Sequence, residues 1–248
     1  ADDFEEEDDY ECDDESIIYG SIDTIDLHDV KLNDTVFPGV LEGLYEYDLK
    51  LLDCSDNSLG DDSLNALRTF LKGTTIEELD LSGNVPTDLG CQDFIIKMME
   101  EDVEFPTKLN LSFKSEDMDQ SAKHGISTQI GNLIKSNVEL ESLYLGGPIT
   151  ATDAINIITA LPQNQFIKEL EFQSDHIKNY MNPDPDINDN LQQQFEQVVS
   201  LLHSALSDKK SKCKLRSFIF PLLTEVFIYT PEICEQWQEI EKKLQQNA

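Results

Sequence analysis

An apolar pattern of the form LxxLxL recurs seven times along this chain, and no other feature constrains its fold as strongly. The copies are Ile22, Ile25, Leu27; Leu49, Leu52, Cys54; Ile76, Leu79, Leu81; a degenerate Pro106, Leu109, Leu111; Leu140, Leu143, Leu145; Ile167, Leu170, Phe172; and Leu215, Phe218, Phe220. The first three begin 27 residues apart, as do the fifth and sixth, whereas the intervening spacings are 30 and 34 and the last is 48. Alternation of this kind reads as a short strand, with the apolar positions pointing into a core and the x positions lining a solvent-exposed face. Two copies run on into an asparagine: Leu52-Asp53-Cys54-Ser55-Asp56-Asn57, and Leu79-Asp80-Leu81-Ser82-Gly83-Asn84. Asn57 and Asn84 are read as ladder residues that hydrogen-bond the turn after the strand, not as ligands.

After each strand the apolar period changes to that of a helix. Residues 62–72 place Leu64, Leu67, Phe70 and Leu71 on one face, and residues 89–101, 126–135, 152–161, 189–206 and 231–245 continue the series. Thr152, Asp189 and Pro231 suit helix starts. Strand and helix in alternation predict an α/β chain: a right-handed curved solenoid of about seven strand–helix repeats, with a parallel sheet on its concave face. Solenoid ends expose core and need covering. Residues 36–45 are expected to cover the first repeat, and the last helix, bearing Trp237, to close the other end.

On these motifs the chain resembles the ribonuclease-inhibitor-like subfamily of leucine-rich repeats over about residues 22–244, repeats of about 28 residues with a full helix on the convex side. Its helices also resemble those of the short repeat domain of tropomodulins and of similar domains in bacterial effectors, and no residue singles out either group. The resemblance implies a curved horseshoe fold and by itself identifies no function. It identifies no partner, because one repeat scaffold serves many unrelated targets.

The pattern breaks in three places, as binding sites or as tolerated insertions. The fourth repeat has Phe105-Pro106 where a leucine is due, and a charged segment at residues 114–119. The sixth carries an Asn/Pro/Asp-rich insertion at residues 178–188, read as a loop. Residues 207–214 hold the chain's basic cluster: Lys209, Lys210, Lys212 and Lys214.

Charge narrows the partners. The 248 residues carry 50 Asp and Glu against 18 Lys and Arg, a net −32, which disfavours nucleic acid and anionic membranes. A protein partner with a basic surface fits. Eleven of the acids fall within residues 1–16, which hold no base, so the other 232 residues carry −21. That segment is expected to be a disordered acidic tail, either a solubilising one or a docking arm, preceding a repeat domain at residues 17–248. Deleting residues 1–14 is expected to leave the thermal midpoint nearly unchanged, since Phe4 and Tyr10 are their only large apolar residues; a drop of several degrees would show that the tail docks.

Catalytic and metal signals are absent from the pattern. His28, His124, His176 and His203 are scattered, with no Gly-rich phosphate loop, HExxH or GxSxG, so no enzyme activity is expected. Residues 184–190 space oxygen ligands like a calcium loop, yet Asp189 stands where an EF-hand needs Gly and Phe195 where it needs Glu. They are read as a loop ending in a helix cap at Asp189. Five widely spaced cysteines suit a reducing compartment. Cys54 and Cys234 are expected to be buried and inert, and Cys213, between two lysines, to have a lowered thiol pKa if exposed. No cofactor or metal is expected, and a cytoplasmic monomer is, or one delivered into a host cytoplasm if the chain is an effector.

The central x positions name the candidate binding face: Asp26, Asp53, Asp80, Asn110, Tyr144, Glu171 and Ile219. Asp26, Asp53 and Asp80, joined by Glu77 and Glu78, form either a landing site for a Lys/Arg-rich partner or a screened, solvated face relieved by Lys50. Toward the carboxyl end Tyr144, Lys168, Glu169, Glu171 and Arg216 mix an aromatic with both charges, a composition suited to protein interfaces. An adaptor, scaffold or effector using this face is the preferred reading. The alternative is a regulatory or accessory subunit docked through the acidic tail and inserted loops.

Overall fold

A computed structural model describes residues 22–114, 123–136, 138–147, 149–173, 185–220 and 230–248. Among the described residues strands and α-helices alternate: β1 (Thr24–Asp26), α1 (Phe37–Leu44), β2 (Leu51–Asp53), α2 (Asp61–Leu71), β3 (Glu78–Asp80), α3 (Asp88–Glu100), β4 (Lys108–Ser112), α4 (Lys123–Ser136), β5 (Ser142–Gly146), α5 (Ala151–Ile158), β6 (Glu169–Gln173), α6 (Pro185–Ser207), β7 (Ser217–Ile219) and α7 (Pro231–Asn247). The strands form one parallel sheet in the order β1 to β7, and each helix packs on the next. The acidic tail, residues 178–184 of the insertion and residues 115–122 lie outside the described residues.

The register follows the repeat. Ile25, Leu52, Leu79, Leu109, Leu143, Leu170 and Phe218 are aligned across the sheet, and Asp26, Asp53, Asp80, Asn110, Tyr144, Glu171 and Ile219 form the next row. From β2 onward the first row is buried against the helices. Leu52, Leu67, Phe70, Ile134, Leu143, Phe172 and Leu215 have no accessible surface, and burying one such side chain contributes roughly 1.5–3 kcal/mol.

Between strand and helix the backbone polar groups are closed by asparagine. Asn57 donates through Nδ2 to the carbonyls of Leu27 (2.8 Å), Cys54 (3.0 Å) and Ser55 (3.0 Å), and its Oδ1 accepts from the Leu32 amide (2.9 Å). One repeat later Asn84 does the same with the carbonyls of Cys54 (2.9 Å) and Leu81 (2.9 Å) and the Leu59 amide (3.0 Å). The turn itself requires a left-handed residue, which Asp29, Asp56 and Gly83 supply at 27-residue intervals with φ of 51°, 51° and 67°. At Gly83 a Cβ would stand 2.3 Å from Asp56 Oδ1, so the glycine serves close approach as well as backbone freedom.

Several expectations are corrected by packing. Ile22 is 42 % exposed, because among the described residues β1 is the edge of the sheet, with β2 beside it. The helix start expected at Thr152 is at Thr150, which forms a reciprocal capping box with Asp153. Asp189 does not cap α6 but lies within it: the helix begins at Pro185, whose fixed φ and missing N–H suit a first turn, so residues 185–188 are helix and not loop. Cys234 is exposed, since α7 buries only Ile233 and Ile240. Cys213 is half-buried and its thiol is pushed up by burial, against the smaller opposite effect of Lys214. Cys54 is buried as expected, and within the segment expected to cover the first repeat Phe37 and Leu41 are buried while Val36 and Tyr45 are exposed.

Candidate functional site on the open sheet face

The row of central residues on the open face does two jobs. In the first four strands each member folds back onto its own chain: Asp26 Oδ1 accepts from the His28 amide (2.9 Å), Asp53 Oδ1 from the Ser55 amide (2.8 Å), Asp80 Oδ1 from the Ser82 amide (2.8 Å) and Asn110 Oδ1 from the Ser112 amide (3.1 Å). One side-chain oxygen per residue thus closes the turn leaving the strand, which accounts for Asp and Asn as residue types here. Replacing Asp80 by Ala is expected to cost about 1 kcal/mol of stability by freeing this amide, whereas Asp80→Asn, copying the natural arrangement at Asn110, is expected to cost less than half as much; equal losses in chemical denaturation would refute the turn role.

The second job is electrostatic. Lys108 Nζ pairs with Glu78 (2.6 Å), which raises the lysine pKa, and Lys50 Nζ lies 3.7 Å from both Glu77 and Asp48. Those pairs occupy the flanks. Among the described residues no Lys, Arg or His comes within ion-pair distance of Asp26, Asp53 or Asp80. Their side-chain partners are neutral: Ser55 Oγ donates to Asp53 (2.5 Å) and the Asn110 amide to Asp80 (3.0 Å). Adjacent parallel strands stand about 4.8 Å apart, so three carboxylates face solvent on consecutive rungs with no cation between them.

Toward β7 the face changes character. Tyr144 donates to Glu169 Oε2 (3.0 Å), which also accepts from Ser142 Oγ (2.9 Å). Burial, and after it Glu169, raises the phenol pKa above the ordinary 10.0. Such a group stabilises the fold fully below its unfolded pKa, and that contribution is lost as pH rises through the higher folded value. Ultraviolet titration is therefore expected to show one late-ionising tyrosine that disappears in Tyr144→Phe; an unchanged titration would place the late phenol elsewhere. Lys168 pairs with Glu141, Gln173 Nε2 donates to Glu171 (3.2 Å), and Arg216, just before β7, and Ile219, at its end, are exposed.

A shallow groove gathers Asp53, Glu78, Asp80, Asn110 and Tyr144 with Leu51, Lys108 and Gln173. Asp26 borders it one rung away, and Glu77, Glu171 and Arg216 lie outside it. Lys108 was legible as the residue aligned with Glu78, but a register drawn on central positions alone passes over it.

At the end of the strands His28 Nδ1 lies 2.9 Å from Ser55 Oγ, which in turn donates to Asp53 (2.5 Å). Here the serine stands between imidazole and carboxylate, so the carboxylate does not orient the histidine as a nucleophilic triad requires. Among the described residues no cluster of His, Cys, Asp or Glu is disposed to hold a metal ion, and no helix is long and apolar enough to cross a membrane. A scan against protein-family models finds no match, and a search of curated proteins finds none.

Proposed function

We propose that the chain is a leucine-rich-repeat horseshoe, with the open sheet face as its concave side, and that it acts without catalysis by binding a protein with a basic surface there. The observation that carries this reading is the row Asp26, Asp53 and Asp80, three carboxylates on successive rungs with no cation in reach among the described residues. Like charges so placed raise the free energy of the unbound face, and a Lys/Arg-rich partner relieves it. Tyr144, half-buried and oriented by Glu169, supplies a rigid aromatic anchor beside them. The net charge of −32 argues in the same direction against nucleic acid and anionic membranes. The buried thiols of Cys54 and Cys91, pushed up by burial, fit a reducing cytoplasm, the chain's own or a host's.

The test compares three forms in capture from a native extract: the intact chain, the Asp26→Asn/Asp53→Asn/Asp80→Asn variant, and a chain lacking residues 1–16. The triple variant is expected to lose the captured proteins while the shortened chain keeps them. The opposite result would move the contact to the acidic tail and make the protein an accessory subunit docked through it.

A further inference from the structure

The same face constrains the shape of what it binds; this step rests on the reading of the face as a landing site for a basic protein. We infer that the occupant is a basic amphipathic α-helix lying across the strands, along the row from Asp26 toward Tyr144.

Backbone chemistry comes first. The strands of the sheet already pair with one another through their backbone groups, so the face offers side chains only. An extended segment laid on it would leave its own backbone donors and acceptors without partners in the contact, whereas a helix brings its backbone bonds with it.

Spacing gives the second argument. The carboxylates of Asp26, Asp53 and Asp80 repeat at the strand separation, about 4.8 Å, so the third lies about 9.6 Å from the first. On a helix, residues i, i+3 and i+7 share a face and lie about 4.5 and 10.5 Å along the axis, within about 1 Å of those rungs. Same-side residues of an extended segment recur every 6.6–6.8 Å or so, and miss the third rung by about 4 Å.

The far end of the row fixes the direction of the apolar contact. Tyr144 stands four rungs from Asp26, about 19 Å away, and Ile219 at the end of the row is 46 % exposed. Residue i+14 of the helix returns to the same face at about 21 Å. The matching partner therefore carries Lys or Arg at i, i+3 and i+7 and a large apolar residue near i+14. Net charge falls along the same axis: the outward positions of β1–β3 include Asp23, Asp26, Asp53, Glu77, Glu78 and Asp80 against Lys50, whereas Lys168 and Arg216 balance most of the acids of β5–β7.

The probe is a fluorescein-labelled, end-blocked Ala/Gln peptide of about 18 residues, long enough to form helix. It carries Lys at i, i+3 and i+7 and Leu at i+14; its control has the same composition with the lysines at i, i+2 and i+4. Anisotropy is read at about 0.01 M salt, where the Debye length is about 30 Å, on the full chain and on Asp53→Asn/Asp80→Asn, which keeps the turn acceptors. The striped peptide is expected to bind the full chain at least tenfold more tightly than the control, and the variant to lose most of that preference. Equal binding of the two peptides that still falls in the variant overturns the helical occupant and leaves the basic-partner reading standing. Binding that does not fall in the variant, or no binding by either peptide, overturns both.

Discussion

Replacing Asn84 by Ala is expected to remove about 3–5 kcal/mol of folding stability, a large share of the roughly 5–15 kcal/mol that holds a domain folded. Asn84 is 1 % exposed, and its side chain closes the Leu59 amide and the carbonyls of Cys54 and Leu81. Truncation takes the side-chain partner from the Leu59 amide and the Leu81 carbonyl, each at about 1–3 kcal/mol less what an entering water recovers, while the Cys54 carbonyl keeps Asn57 Nδ2. At about 2–4 °C per kcal/mol for a chain of this size, the midpoint should fall by about 10 °C or more. Calorimetry decides it: a loss near 1 kcal/mol would mean that the amide is one hydrogen bond among many rather than the closure of the turn. Asn57→Ala should behave similarly, because its partners repeat those of Asn84 one strand earlier.

Neutralising Asp26, Asp53 and Asp80 together as Asn is expected to slow association with a captured basic partner about tenfold at low salt and to change dissociation little. The three carboxylates are exposed or half-buried and without a cation among the described residues, so they act at a distance before contact is made. Their field is screened beyond about 10 Å at 0.1 M salt, and the two association rates should converge as salt rises. Reversal to Lys would confuse the result, since it also removes the oxygen that holds the amides of His28, Ser55 and Ser82. Tyr144→Ala should act on dissociation, because it removes a packed ring and not a charge. Rates indifferent to both salt and neutralisation would reduce the row to turn chemistry alone.

Strand positions, register and the asparagine closures were all legible in the repeat, because they depend on contacts between residues a fixed distance apart in the chain. What escaped depends on neighbours the repeat does not encode. Ile22 matches the apolar pattern and is exposed, because among the described residues β1 has a neighbouring strand on one side only. Cys234 sits in a helical apolar pattern, yet among the described helices α7 packs on α6 and buries a narrow stripe, Ile233 and Ile240. Thr150 and Thr152 are equally good caps by residue type; the carboxylate of Asp153 three residues after Thr150 settles the choice. Asn164, buried and bonded to the Ile134 carbonyl and the Phe166 and Ile167 amides, falls outside the LxxLxL frame altogether. On the face itself the acids were visible, but their backward bonds to the turns were not, because an Asx turn is set by backbone direction and not by composition.

The asparagine closures also have a direction. Asn57 completes the Leu27 carbonyl and the Leu32 amide, and Asn84 completes the Cys54 carbonyl and the Leu59 amide; in each case the later residue finishes the earlier turn. During synthesis the groups of one repeat therefore wait for an asparagine that is 25 to 30 residues further along the chain. At about 5–20 residues per second, the delay on the ribosome is about 1–6 s. Assembly of this end is vectorial: the first two repeats emerge unfinished, and each is sealed by the next one to leave the exit tunnel.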